Sequence, residues 1–151
     1  MDRNIKEVFY LLIKLEDNFS NFYKNISVFS GKNISKIKTV ALVLSREEKG
    51  HAQLYRDFLQ KYQYLNEVII EDRIYEKARD IVNEFKKTLQ LDAFKNEKEL
   101  IELAIYYEEK NSEVLKSILE ITPESNVNLI ELLTLLIKIE DTHAENLKKF
   151  I

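Results

Sequence analysis

The chain has 151 residues, the size of one domain and enough to bury roughly two thirds of its unfolded surface around a core. Hydrophobic residues make up 45% and charged residues 32%, with two glycines, one proline and no cysteine; this fits a helical protein and excludes disulfides, thiolate metal sites and a cysteine nucleophile. The net charge of -3 comes from interspersed acidic and basic residues, without the clustered basic face that a phosphate backbone needs, so nucleic acid is not an expected partner.

The opening segment "MDRNIKEVFYLLIKLED" carries charges throughout and lacks the apolar core of a signal peptide. No stretch approaches the roughly 20 uninterrupted apolar residues of a membrane span. The expectation is a cytoplasmic protein with no membrane partner, a single domain over residues 1–151. From Ile5 to about Phe29, apolar residues recur at Ile5, Phe9, Leu12, Phe19, Phe22, Tyr23 and Ile26. That is helical spacing, broken at one inward position by Glu16. The segment "FSGKNIS" (29–35) reads as a turn.

A second helix is predicted from about Ile34 to Tyr64, with an inner strip of Ile37, Ala41, Leu44, Glu48, His51, Tyr55 and Phe58. Residues 66–96 form a long connection, but Ile74, Ala78, Ile81, Phe85 and Leu89 share one face, so a helix is expected inside it. Asn96 with Glu99 fits a capping pair for a third long helix over 97–121. Its strip reads Ile101, Ala104, Glu108, Asn111, Leu115 and Ile118. Thr122 followed by Pro123 suggests an N-cap and first turn for a fourth long helix running to the C-terminus. Its strip is Leu129, Leu133, Leu136, Glu140, His143 and Leu147. The predicted fold is an all-α four-helix bundle of two antiparallel hairpins, joined by a long helical crossover between helices 2 and 3, the ferritin-like connection pattern.

Both hairpins interrupt their apolar strips with the same polar residues. Glu16, Glu48 and His51 recur as Glu108, Glu140 and His143, each displaced by 92 positions. Residues equally far from the turn of an antiparallel hairpin face each other. The midpoint of Glu16 and Glu48 is residue 32, inside "SGKN", and that of Glu108 and Glu140 is residue 124, beside "TPES". In each Glu-x-x-His the two side chains share a helix face.

Four carboxylates and two imidazoles are therefore expected to converge in the interior. Uncompensated, they would cost several kcal/mol each and repel one another. Two divalent cations would neutralise them, and the oxygen-rich, nitrogen-containing shell suits iron, with manganese as the alternative. The competing reading is a hydrogen-bonded structural polar core. Periodicity selects Glu108 over Glu109, whose face holds Glu102, Ile105, Ser112 and Lys116. Glu48 is selected over Glu47 because only Glu48 stands three residues before His51, and Glu47 and Lys49 are expected to face solvent. Tyr23, Tyr55 and Tyr107 could supply hydroxyls to the carboxylates, although core packing is their leading role. Gly50 faces away from the site and reads either as a close-packing position or as a tolerated glycine.

Four segments in order, "LEDNFSNFY" (15–23), "EEKGHAQLY" (47–55), "LAIYYEEKNS" (103–112) and "IEDTHAENL" (139–147), make the chain resemble the ferritin-like di-iron carboxylate superfamily, and within it the rubrerythrins. That resemblance implies a dinuclear iron site that reacts with hydrogen peroxide or dioxygen. A cysteine-free sequence holds no rubredoxin domain, so an external electron-donor protein is expected. Asn111 stands where many rubrerythrins carry an additional glutamate, which puts redox-linked ligand switching in question. Bacterioferritins share both Glu-x-x-His motifs but bind haem through methionine, and Met1 is the sole methionine, so no haem is expected. The alternatives are an iron- or manganese-binding storage protein with ferroxidase activity, and a non-catalytic metal-binding bundle. The expected assembly is a homodimer.

Overall fold

The computed structural model of the chain describes residues 2–28, 35–90 and 97–150. In chain order, strand β1 (Asp2–Asn4) leads into α1 (Ile5–Val28). Then come α2 (Ser35–Lys61), a 3-10 turn (Gln63–Glu67), strand β2 (Ile69–Glu71), α3 (Asp72–Gln90), α4 (Glu97–Ile121) and α5 (Val127–Lys148). The bundle is all-α and ferritin-like, with a small two-stranded ribbon at one end. Most of the turn read at 29–35, and Asn96 of the capping pair, lie outside the described residues, as do the side chains of Ile26, Ile37 and Leu89.

Helices α1 and α2 pack along each other, as do α4 and α5, and α3 lies against α1 and α4. The apolar strips read from periodicity form the buried seam: Phe9, Leu12 and Phe19 on α1, Ala41, Leu44 and Tyr55 on α2, Ala104, Leu115 and Ile118 on α4, Leu133 and Leu136 on α5. Small side chains bring α1 and α2 together. Ser20 Oγ donates to the Ser45 carbonyl at 2.9 Å and Ser45 Oγ donates to the Ser20 carbonyl at 2.8 Å. Each such bond contributes on the order of 1 kcal/mol net.

The crossover helix buries Ile74, Ala78, Ile81, Val82 and Phe85. Phe85 meets Phe19 with ring centroids 4.0 Å apart and Tyr107 at 5.1 Å. This aromatic cluster sits beside the inward glutamates: Phe19 is one turn along α1 from Glu16, and Tyr107 precedes Glu108.

The ribbon was not anticipated. Asp2, Arg3 and Asn4 pair antiparallel with Glu71, Ile70 and Ile69, and Arg3 Nε donates to Asp72 Oδ1 at 2.5 Å. Asn4 also caps α1: its Oδ1 accepts from Lys6 N at 2.9 Å, and Glu7 Oε2 accepts from Asn4 N at 3.2 Å, a reciprocal capping box.

The start of the last helix is corrected. It begins at Val127, with Asn126 Oδ1 accepting from Leu129 N at 3.3 Å, and not at Thr122–Pro123. Thr122 Oγ1 bonds back to the Ile118 carbonyl at 2.7 Å. Pro123 opens a turn in which Asn126 N donates to its carbonyl at 2.9 Å. A Thr-Pro pair serves as a helix stop as readily as a start, because proline commonly follows a helix end, and Asn126 is the better cap. The second helix also ends earlier than expected, at Lys61.

Candidate metal centre

Each bundle helix delivers its inward polar residue to one place. Glu16 comes from α1, Glu48 and His51 from α2, Glu108 from α4, and Glu140 and His143 from α5. All four glutamates are at most 3% exposed, and His143 is 8%. The His51 side chain retains 15%. Two overlapping groups have ligand atoms within 4.8 Å of one another: Glu48, His51, Glu108 and His143, and Glu16, His51, Glu108 and Glu140. His51 and Glu108 belong to both.

The imidazoles turn their Nδ1 atoms toward the carboxylates. His51 Nδ1 stands 3.7 Å from Glu140 and 3.9 Å from Glu16, and His143 Nδ1 stands 2.9 Å from Glu108 and 3.7 Å from Glu48. The two rings are perpendicular, with centroids 5.0 Å apart. Despite this proximity, one oxygen of each glutamate, His51 Nδ1 and both His143 nitrogens are buried without an aligned hydrogen bond. Protein interiors rarely leave so many polar atoms unsatisfied. Cations held between the helices would satisfy the glutamate oxygens and the Nδ1 atom of each imidazole, so the donor set fits a carboxylate–imidazole metal centre.

Electrostatics of the metal-free cluster agree. Burial, then repulsion from Glu48 and Glu140, pushes the Glu16 carboxyl well above its usual range. Burial raises Glu48 and Glu108 as well, reinforced by Glu108 on Glu48 and by Glu140 on Glu108. Burial lowers His51, disfavouring its cation. The cluster therefore resists holding its full negative charge until positive charge arrives.

Neighbouring polar groups hold the carboxylates. Tyr55 Oη donates to Glu140 Oε1 at 2.9 Å, and Asn111 Nδ2 donates to Glu16 Oε1 at 3.0 Å. Tyr55 is thus both a core residue and a carboxylate partner. Tyr107 instead bonds Thr88 Oγ1 at 3.1 Å. Tyr23 is buried in the aromatic stack with Phe19. Glu109 faces outward and pairs with Lys148 at 3.0 Å.

Glu47 departs from the sequence reading. Its side chain is 44% exposed, but its carboxylate curls back onto His143 Nε2, a contact that holds the Glu47 carboxyl below its usual range. Same-helix spacing relates Glu47 to nothing, because the contact crosses from α2 to α5. Gly50 is resolved in favour of tolerance: a Cβ there would meet nothing within 4 Å. A cleft of about 270 Å³ is walled by Val40, Val43, Leu44, Ile101, Leu147 and Phe150, and Glu47 and His143 also line it. No helix among the described residues is long and apolar enough to cross a membrane.

Two helical hairpins, a crossover helix, and a buried set of four glutamates and two histidines define a ferritin-like protein of the di-iron carboxylate class. Residues 12–151 match the Rubrerythrin family. The chain belongs to that family. No curated protein and no solved structure matches it significantly.

Proposed function

We propose that the chain is a rubrerythrin-like, non-haem di-iron protein that reduces hydrogen peroxide or dioxygen with electrons from an external donor protein. The observation that carries this reading is the set of buried, unsatisfied carboxylate oxygens and imidazole nitrogens converging from four helices. Glu16, Glu48, His51, Glu108, Glu140 and His143 would hold two iron ions. Each histidine would serve one ion through Nδ1, the nitrogen that faces the carboxylates. Iron supplies the electrons by cycling between ferrous and ferric states and polarises the oxygen substrate.

The chain's own residues supply the setting. Tyr55 and Asn111 fix one oxygen each of Glu140 and Glu16, limiting reorganisation of those carboxylates. Phe19, Phe85 and Tyr107 form one aromatic cluster in the core, with Phe19 one turn along α1 from Glu16, and the burial of all four glutamates keeps them from bulk water. The apolar cleft beside His143 favours small neutral molecules, as hydrogen peroxide and dioxygen are, over anions. Reduction of hydrogen peroxide to two waters consumes two electrons, which the external donor would supply, and two protons, which solvent would supply; Tyr55 Oη orients Glu140 by its hydrogen bond and keeps its proton, because burial makes it a weaker acid.

Anaerobic iron loading followed by elemental analysis tests the metal assignment: two irons per chain are expected, and far less than one sinks it. Stopped-flow mixing of the ferrous protein with peroxide or oxygen then tests the reaction. Rapid oxidation by peroxide supports the reading, whereas indifference to peroxide with fast oxygen consumption and a very large assembly on size exclusion supports a ferroxidase store. We place the protein in the cytoplasm as a homodimer, which sedimentation of the purified chain tests.

A further inference from the structure

The 92-residue repeat carries the six proposed ligands but not the groups that hold them. Tyr55 stands seven residues after Glu48, and the residue seven after Glu140 is Leu147. Asn111 stands three residues after Glu108, and its counterpart three after Glu16 is Phe19. In each pair one member is a hydrogen-bond donor and the other is a hydrocarbon. Both donors are buried, Tyr55 at 1% exposure and Asn111 at 0%, and both cross to the opposite hairpin. Tyr55 Oη donates to Glu140 Oε1 at 2.9 Å, and Asn111 Nδ2 donates to Glu16 Oε1 at 3.0 Å. Leu147 instead walls the apolar cleft, and Phe19 packs on Phe85 and Tyr107.

Both bonds fall on one side of the centre. Glu16 Oε1 and Glu140 Oε1 are the same two oxygens that face His51 Nδ1, at 3.9 and 3.7 Å. Those separations are too long for a hydrogen bond, and they suit a cation about 2 Å from each atom. A carboxylate oxygen has two lone pairs, so a phenol hydroxyl or an amide N–H holds it in place and still leaves one lone pair for an ion. Out of water, such bonds strengthen and resist rearrangement. We infer that Tyr55 and Asn111 are positioning residues that preorganise one of the two metal positions, the one bounded by Glu16, His51 and Glu140. The first ion enters there, and the position at Glu48 and His143 fills second. This ordering rests on the dinuclear reading above.

Anaerobic titration with cobalt(II), followed by calorimetry and visible absorption, tests the ordering. The wild-type chain is expected to bind two ions in two resolvable steps, and His51→Ala is expected to abolish the tighter one, which assigns it. Tyr55→Phe and Asn111→Leu each remove one donor at nearly constant volume. Each is expected to weaken the tighter step by roughly 10- to 100-fold, the scale for losing an outer partner of a metal ligand. The weaker step keeps its affinity and its absorption bands, which a general loosening of the fold would not allow. Circular dichroism in chelator is expected to show both variants folded; if Asn111→Leu is not, Tyr55→Phe, which deletes a single oxygen, decides alone. Two equal steps in the wild type overturn the inference and leave the dinuclear reading standing. So does Tyr55→Phe if it weakens both steps equally, neither step, or only the step that survives His51→Ala. Binding of fewer than two ions by the wild-type chain removes the dinuclear reading, and the ordering with it.

Discussion

Removing the metal should reverse the usual dependence of stability on pH. In the metal-free cluster Glu16, Glu48 and Glu108 are pushed above the ordinary carboxyl value of 4.5 by burial and by one another. Folded pKa values above the unfolded ones mean that the folded state holds more protons, so stability falls as pH rises from about 4.5 through the folded values. Each group contributes a slope of at most about 1.4 kcal/mol per pH unit, and three set a ceiling of roughly 4 kcal/mol per unit. A domain stable by about 5–15 kcal/mol cannot sustain that ceiling for more than a few units. His51 acts oppositely: its lowered value adds stability as pH rises toward about 6.5, so the net fall is steepest above that point. Urea denaturation in chelator, followed by circular dichroism from pH 5 to 9, should show declining stability above neutrality. Glu48→Gln should flatten the decline and exceed the wild type at pH 8. A flat or rising wild-type profile there would refute the argument that these carboxyls are buried together unpaired.

Other outcomes follow from single contacts. Tyr55→Phe removes the donor to Glu140 Oε1 and should cost about 1–3 kcal/mol in chemical denaturation, with weaker metal binding in the same preparation. Phe85→Ala empties the contact between the crossover helix and Phe19 and should cost about 3–5 kcal/mol, read in thermal melts. Gly50→Ala places a methyl in open space on a helix and should stabilise the fold by about 0.5–1 kcal/mol. A lowered melting temperature for that variant would contradict the open surroundings of residue 50.

The helices and the convergence of six polar side chains were legible because both depend on periodicity. A glutamate replacing an apolar residue on an inward strip has nowhere else to point, and equal spacing about two turns brings Glu16 to Glu48 and Glu108 to Glu140. Features that depend on how elements cross were not legible. Glu47 looks solvated by its own helix, and only the approach of α5 gives it His143. The strand Asp2–Asn4 has three polar residues and no alternation, so its pairing with Ile69–Glu71 exists only once the crossover returns alongside it. Thr122–Pro123 carries the same local chemistry at a helix end as at a helix start, and Asn126 decides between them.

The ribbon joins residues 2–4 to residues 69–71, so it fastens the two ends of the α1–α2 hairpin together before the chain enters the crossover. That hairpin carries Glu16, Glu48 and His51. The remaining three proposed ligands arrive only when α4 and α5 dock. One hairpin alone thus offers two carboxylates and one imidazole, and both candidate ligand groups draw on residues from the two hairpins. Metal binding would then report on assembly, because neither group is complete until the second hairpin has closed over the first.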